Sequence, residues 1–295
     1  MQIREKLLQE GIRVDTNYGQ QKVTCPKCSH TRKNNREPCL SINIEDDLAV
    51  WHCHHCEWKG SVHENIRGND YKPKPIDRKN VIPLIPKERE LSQEAHNWLN
   101  GRRISPTTYA KMGIYSANGT LCFPYYLDGD IVNVKHRTKD KRFYQEKDAK
   151  KTLYNIDSLK EIWDMKKVIF VEGEMDVLSL MEIGFHNVVS LPDGAPKTAK
   201  FDMHDKRFSA FEQSQSQWIF EAEEVIIATD NDEAGNSLKL ELLHRFGRDI
   251  CKVVHFPKHD DKQLKDANEV LIALGNDALR RCILNAKDFP FVMTH

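Results

Sequence analysis

The cysteines place the tightest limit on what this chain can fold into. Cys25-Pro26-Lys27-Cys28 is matched by Cys53-His54-His55-Cys56, with 24 residues between the pairs. Two residues inside each pair let both sulfurs turn onto one ion, and two such pairs supply four thiolates for tetrahedral zinc. The intervening length suits a small antiparallel sheet. SINIE (41–45) and LAVWHC (48–53) read as strands, with Asp46-Asp47 at the turn. So small a domain buries too little to fold on apolar contact alone, so the ion is expected to staple it. Four thiolates leave no open position, so the metal itself is expected to do no chemistry. Three other readings stay open: some cysteines as buried small hydrophobes, a redox dithiol, or a ligand exchange in which His52 or Cys39 replaces one thiolate.

The remaining residues of the stretch WHCHHCEWKG (51–60) carry their own alternatives. His52, His54 and His55 either support the ligands, touch phosphates or face water. Trp51 and Trp58 either fill the miniature core or stack on bases. Lys22, Lys27, Arg32, Lys33 and Arg36 give the module a basic surface that suits nucleic acid or plain solvation. Five of eight cysteines fall within residues 25–56 and the N-terminus lacks an apolar export segment. That favours a metal site in a reducing compartment over a disulfide framework. A cytoplasmic location is therefore expected, with a mitochondrial one left open. No apolar run approaches a membrane span. Net charge is zero, so any binding face must come from local charge.

MQIREKLLQEGI reads as a short helix closed by Gly11. YKPKPIDRKNVIPLIPKERE (71–90) has prolines at 73, 75, 83 and 86 and reads as an extended linker. Residues 91–113 predict two short helices, the first ending near Gly101 and the second capped by Ser105-Pro106. Residues 114–137 predict an antiparallel meander with turns at Asn118-Gly119 and Asp128-Gly129. Beyond residue 160 the pattern becomes α/β: strands at 168–171, 188–191, 225–229 and 251–256, and helices at 176–184 and 236–246, imply a mainly parallel sheet. Residues 197–225 read as a polar linker or helical crossover.

Carboxylates follow these strands. VIFVEGEMDVLSL puts Glu172, Glu174 and Asp176 after the first, with Gly173 expected to allow a tight turn. VIIATDNDEAG puts Asp230 and Asp232 after the third, and Gly235 permits a close helix start. LKDANEV adds Asp266. Open α/β sheets bind ligands at the carboxyl ends of their strands. Oxygen donors from three such ends suit magnesium, which keeps waters for substrate phosphates. The competing view is that these acids merely cap helices. Between the meander and the acidic half, KHRTKDKRFYQEKDAKK (135–151) holds eight Lys/Arg against three Asp/Glu. Such a run can grip a nucleic-acid backbone or a triphosphate, or form a solvated loop. Lys135, Arg137, Lys141 and Arg142 are the main candidates, with Phe143 and Tyr144 either stacking residues or part of the sheet core. LPDGAPKTAK (191–200) adds a glycine-containing loop after a strand, with Lys197 and Lys200.

The paired cysteines, the basic run, VEGEMD, VVSLPDGA, TDNDEAG and KDANE occur in one order over roughly residues 10–275. This order resembles the primase half of the bifunctional primase-helicases of tailed bacteriophages, relatives of the mitochondrial replicative helicase. The α/β half resembles a TOPRIM domain. The resemblance implies an α/β protein: a four-cysteine zinc ribbon of antiparallel strands (1–68), a flexible linker (69–90), an α+β N-terminal subdomain with the basic run (91–160), a TOPRIM subdomain with a mainly parallel sheet (161–275), and a C-terminal helix and tail (276–295). It implies RNA primer synthesis from ribonucleoside triphosphates on single-stranded DNA. Glu172, Asp230 and Asp232 would be catalytic and, with Asp266, hold one or two Mg2+ or Mn2+ ions. Glu174, Asp176 and Asp266 would support them. Lys135, Arg137, Lys141, Arg142 and Lys197 would contact nucleotide or template. Cys25, Cys28, Cys53 and Cys56 would hold one structural zinc in a module that reads the template. A replicative helicase, in cis or in trans, and a replicative DNA polymerase are the implied partners. One departure stands out: no GxxxxGK[ST] loop occurs in the sequence, so the helicase motor is not expected in it. A TOPRIM nuclease and a non-catalytic DNA-binding or helicase-recruiting module are the competing functions.

Overall fold

The structure, a computed structural model, describes residues 3–45, 48–63, 81–202, 205–214 and 216–289. The chain forms two compact units, Met1–Lys72 with Gly247–Asp249, and Pro73–Phe246 with Ile250–His295.

In the first unit, helix α1 (Ile3–Gln9) precedes an antiparallel sheet in the order β1 (Gly19–Val23), β2 (Leu40–Glu45), β3 (Leu48–Cys53) and β4 (Lys59–His63). Gly11 ends the α1 segment in the left-handed region (φ +79°), where glycine has no Cβ penalty. The expected Asp46-Asp47 turn lies outside the described residues. Leu7, Ile12, Leu40, Ile42, Ile44 and Ala49 are buried together with Trp51. Trp51 pairs in register with Gly60, where an added Cβ would come within 2.4 Å of the indole ring. Trp51, only 3% exposed, is therefore core. Trp58 is half-buried against it, ring centroids 5.3 Å apart.

In the second unit, α2 (Gln93–Gly101) and α3 (Pro106–Lys111) start on the side-chain caps Ser92 and Ser105. The meander follows as β5 (Tyr115–Ala117), β6 (Thr120–Leu127), β7 (Asp130–Arg137) and β8 (Phe143–Gln145), in that spatial order. Residues 71–80 of the expected linker lie outside the described residues. Its later part is attached to the unit: Val81 N donates to Asp148 O at 3.1 Å, and Glu90 O accepts from Ser116 N at 2.8 Å.

Helix α4 (Ile156–Glu161) leads into β9 (Lys167–Val171), α5 (Glu174–Glu182), β10 (Val188–Ser190), α6 (Ala210–Gln213), β11 (Glu224–Ala228), α7 (Glu233–Phe246) and β12 (Cys251–Val253). A small hairpin of β13 (Lys258–His259) and β14 (Lys262–Gln263), helices α8 (Ala267–Leu274) and α9 (Asn276–Leu284), and strand β15 (Lys287–Asp288) complete the described chain. The sheet order is β10-β9-β11-β12-β15, parallel except for β15. Alternate residues of β9 enter opposite cores. Ile169 and Val171 join the cluster containing Val177, Leu178 and Leu271, while Val168 and Phe170 join one containing Leu238 and Leu242. A central parallel strand covered on both faces needs this continuous apolar run. Residues 197–225 are more than a polar connection, because Phe208, Phe211 and Ile219 are buried in the second of these cores.

Candidate active site and metal centre

In the first unit, Cys25, Cys28, Cys53 and Cys56 bring their sulfurs within 4.8 Å of one another. Cys25 Sγ lies 3.8 Å from Cys56 Sγ, and Cys28 Sγ lies 3.6 Å from Cys53 Sγ. A zinc ion at ~2.3 Å from each of four sulfurs requires tetrahedral edges of about 3.8 Å, so the donor set fits that ion. Burial pushes the Cys25 and Cys28 thiols up, so loading an ion must expel protons. The spare candidates sit elsewhere. His52 Nε2 is 2.9 Å from Glu57 Oε2, and His54 Nε2 is 3.1 Å from Ser41 Oγ. His55 is exposed. Cys39 Sγ, outside the group of four, stands 3.8 Å from Cys53 Sγ and 3.8 Å from Ser29 Oγ.

In the second unit, β9 and β11 are parallel neighbours with Val171 opposite Ala228. Residues just past each strand therefore emerge side by side, about 4.8 Å apart in the sheet direction. Glu172 thus comes beside Thr229, and the Asp230–Asp232 turn follows directly. Asp266 is brought in by a backbone bond, Asn231 N donating to Lys265 O at 2.8 Å. Gly235 fixes the geometry: a Cβ there would sit 2.0 Å from the Asp230 carbonyl oxygen. Gly173 carries no such demand, because its φ of −138° is extended backbone and a Cβ would meet nothing closer than 3.8 Å.

The cluster is electrostatically loaded. Burial, then Asp230 and Asp232, push Glu172 up to about 7. Its Oε2 is buried and has no hydrogen-bond partner among the described residues. Asp230 is pushed up to about 6, chiefly by burial and against the pull of Lys265. Burial and then Asp266 hold Asp176 well above the carboxylate range, and burial also raises Asp266. Burial raises Asp232 too, but the Gly235 N–H and Lys265 outweigh it and leave it low. Asp232 Oδ1 accepts from Gly235 N at 2.9 Å, and Asp266 Oδ1 accepts from Glu269 N at 2.7 Å. Both acids thus cap a helix with one oxygen and keep the other. A buried oxygen without a donor, among several mutually repelling carboxylates, fits a hard divalent cation. Glu172, Asp230, Asp232 and Asp266 are the residues that would hold it.

Other residues expected at the site are placed differently. Glu174 turns to the meander, accepting from Tyr125 Oη and from Lys135 Nζ, the latter at 2.8 Å. Glu174 is buried and Lys135 is 12% exposed, so Lys135 anchors β7 to the start of α5. Arg137 lies over the Trp98 ring at 4.3 Å and nearer the edge of contact with Phe143 at 5.9 Å. Arg142 pairs with Asp140 at 2.6 Å on the surface, and Lys141 and Lys197 are exposed. Phe143 is half-exposed, while Tyr144 stacks on His136 at 4.6 Å. Trp98, Arg137, Thr138, Lys139 and Lys141 line part of a cavity of about 490 Å³.

Sequence reasoning passed over Lys265, whose Nζ bridges Asp230 and Asp232 at 2.9 and 3.0 Å. A lysine immediately before Asp266 in LKDANEV was the available signal. Asn268 was also missed: its Nδ2 donates to Ser179 Oγ at 2.8 Å and its Oδ1 accepts from Arg102 at 3.0 Å. Trp98 sits on a helix whose pattern reads as packing, so nothing local marked it.

Comparison with known proteins agrees with this architecture. Residues 166–257 match the Toprim domain family. The "Primase homolog protein" of Arabidopsis thaliana is 33% identical over 281 residues, spanning 91% of this chain and 82% of that protein. The "DNA helicase/primase" of Enterobacteria phage T3 is 31% identical over 264 residues, 84% of this chain but only 43% of the phage protein. In fold alone, the chain is similar to the Aquifex aeolicus primase, zinc-binding and RNA polymerase domains, with a TM-score of 0.51 at 13% identity over 98% of this chain and 84% of that one. A four-cysteine module followed by a Toprim sheet, with a relative this similar over most of both lengths, places the chain in the family of the primase half of bacteriophage-type primase-helicases.

Proposed function

We propose that this protein is a DNA primase, making short RNA primers on single-stranded DNA from ribonucleoside triphosphates. The observation that carries the reading is the placing of Glu172 and Asp230 just past two adjacent parallel strands, with an unpartnered buried oxygen on Glu172 and with Asp266 tied to that turn through the Asn231–Lys265 backbone bond. In the reaction the 3′-hydroxyl of one ribonucleotide attacks the α-phosphate of the next. A P–O bond forms as the hydroxyl gives up its proton to solvent, the bond to the oxygen bridging the α- and β-phosphates breaks, and pyrophosphate leaves with that oxygen. One or two Mg2+ or Mn2+ ions, when bound, supply Lewis-acid stabilisation of the charge on the reacting phosphate.

The chain's own residues position and compensate. Glu172 and Asp230 stand on rigid strand ends, so their oxygens are set before substrate arrives. Asp232 and Asp266 are fixed by their helix caps. The Lys135–Glu174 pair fastens the basic strand β7 to the catalytic turn. Arg137, Lys141, Arg142 and Lys197 give cationic contacts for the template or the triphosphate, and the cavity beside Trp98 offers apolar wall for a base. The zinc module, its one ion held by Cys25, Cys28, Cys53 and Cys56, selects where on the template synthesis begins. A replicative helicase and a replicative DNA polymerase are the matching partners.

The test is a template scan: zinc-loaded protein, magnesium, labelled ribonucleotides and single-stranded DNA of varied sequence. Short template-dependent RNA is expected. Magnesium-dependent DNA cutting in the absence of ribonucleotides, with no RNA made on any template, would favour a nuclease instead.

A further inference from the structure

Lys265 has no part in the reading above, yet its ammonium touches both aspartates of the Asp230–Asp232 turn. Nζ lies 2.9 Å from Asp230 Oδ2 and 3.0 Å from Asp232 Oδ2. Asp232 uses Oδ1 for its helix cap, so the oxygen facing Lys265 is the one left for a ligand. Among the described residues, no other lysine or arginine forms an ion pair with either aspartate. Lys265 is held by its backbone on both sides: its carbonyl accepts from Asn231 N at 2.8 Å and its N–H donates to Glu269 Oε2 at 2.9 Å. Its side chain is nevertheless 47% exposed. The stem can swing into water without any backbone movement.

We propose that Lys265 is an internal counter-cation: it holds Asp230 and Asp232 together in the metal-free protein and competes with the divalent ion for their free oxygens. The proposal rests on the reading of these carboxylates as metal-holding. Without a cation, two ionised aspartates beside Glu172 and Asp266 repel one another and drift toward protonation. The ammonium opposes both and draws the two side chains together. It is a compact charge on a flexible stem. A doubly charged ion displaces it. The site therefore binds metal more weakly than its carboxylate count implies, and loading leaves a free ammonium at the rim, within reach of a phosphate.

Binding of Mn2+ alone, measured by the loss of its free electron-spin-resonance signal on the zinc-loaded full chain without nucleotide, tests this directly. Removing one adjacent unit charge should tighten Mn2+ binding about tenfold in Lys265→Met. Lys265→Gln should show the same gain, and Lys265→Arg should bind like the wild type. Lys262→Met removes an exposed lysine that pairs with Glu269 at 3.3 Å, and should change affinity less than about twofold. Equal or weaker binding by both Met and Gln variants would mean that Lys265 builds the site rather than competes for it. An equal gain in Lys262→Met would reduce the effect to general field. Should the wild type bind no more Mn2+ than Asp230→Asn, the metal reading itself fails, whatever Lys265 does.

Discussion

In the first unit four sulfurs are gathered at one edge of a small core beneath a four-stranded sheet, with Cys25 and Cys53 buried in it. In the second, carboxylates leave the ends of parallel strands whose residues are buried on both faces. Both constellations crowd groups that resist ionising together. The thiol site lacks the core to bear that cost unaided, so its ion is part of the fold. The acid site sits on a sheet that would persist without any ion. Its repulsion is a load carried by the core, released when a cation arrives. In one unit the metal holds the protein, and in the other the protein holds the place for the metal.

The contrast breaks most readily at the sulfurs. Cys53 is fully buried, and Cys53→Ser should lose zinc and the tertiary structure of the first unit, since structural zinc contributes about 10–16 kcal/mol in small modules. Amide exchange should lose protection across β1–β4 and keep it across β9–β11. Retained protection in β1–β4 without zinc would remove the contrast.

Gly235→Ala comes next. Its Cβ would collide with the Asp230 backbone at 2.0 Å, and the collision cannot be relieved by a rotamer. A loss of about 2–4 kcal/mol in denaturant unfolding is expected, with loss of Mn2+ binding. Gly173→Ala, at an extended φ with free space, should be nearly neutral.

Glu172→Gln sharpens the comparison with the opposite sign. The folded protein raises Glu172 from 4.5 to about 7, so its stabilising contribution is complete below pH 4.5 and is lost as pH climbs through 7. With zinc retained and magnesium absent, the Gln variant should be more stable than the wild type by about 1–3 kcal/mol at pH 7.5 and by clearly less at about pH 6, after allowing for solvent screening. Equal stability at both pH values would show that the core carries no such load. The smallest effect is expected at Lys141. Lys141→Ala should leave the melting temperature alone and lower the salt slope of single-strand binding by about 0.7.

Local pattern carried much of this. Cysteine spacing, apolar strand runs and the carboxylates that follow them are short-range signals, and the structure joins them as two adjacent CxxC pairs and two adjacent strand ends. The cap function of Asp232 and Asp266 was the rival to a metal role, and one oxygen of each serves it. Partner choice was not readable. Glu174 and Asp176 are two residues apart, yet the first faces Tyr125 and Lys135 on the meander and the second is buried toward Asn268. Only the packing of α5 between those elements decides which acid faces where. Lys265 was hidden for the same reason: its meaning depends on a backbone bond to Asn231, 34 positions earlier. The core residues of 197–225 escaped because Phe208, Phe211 and Ile219 are set in short, mixed helical turns without a clear period.

The central claim is that the carboxylates on the strand ends perform template-directed ribonucleotide polymerisation. Primer synthesis by Asp230→Asn, in protein with full zinc content and an unchanged melting temperature, tests it most directly. The account predicts that short RNA products fall by at least about a hundredfold while single-strand binding is kept. Wild-type primer yield from that variant would contradict it.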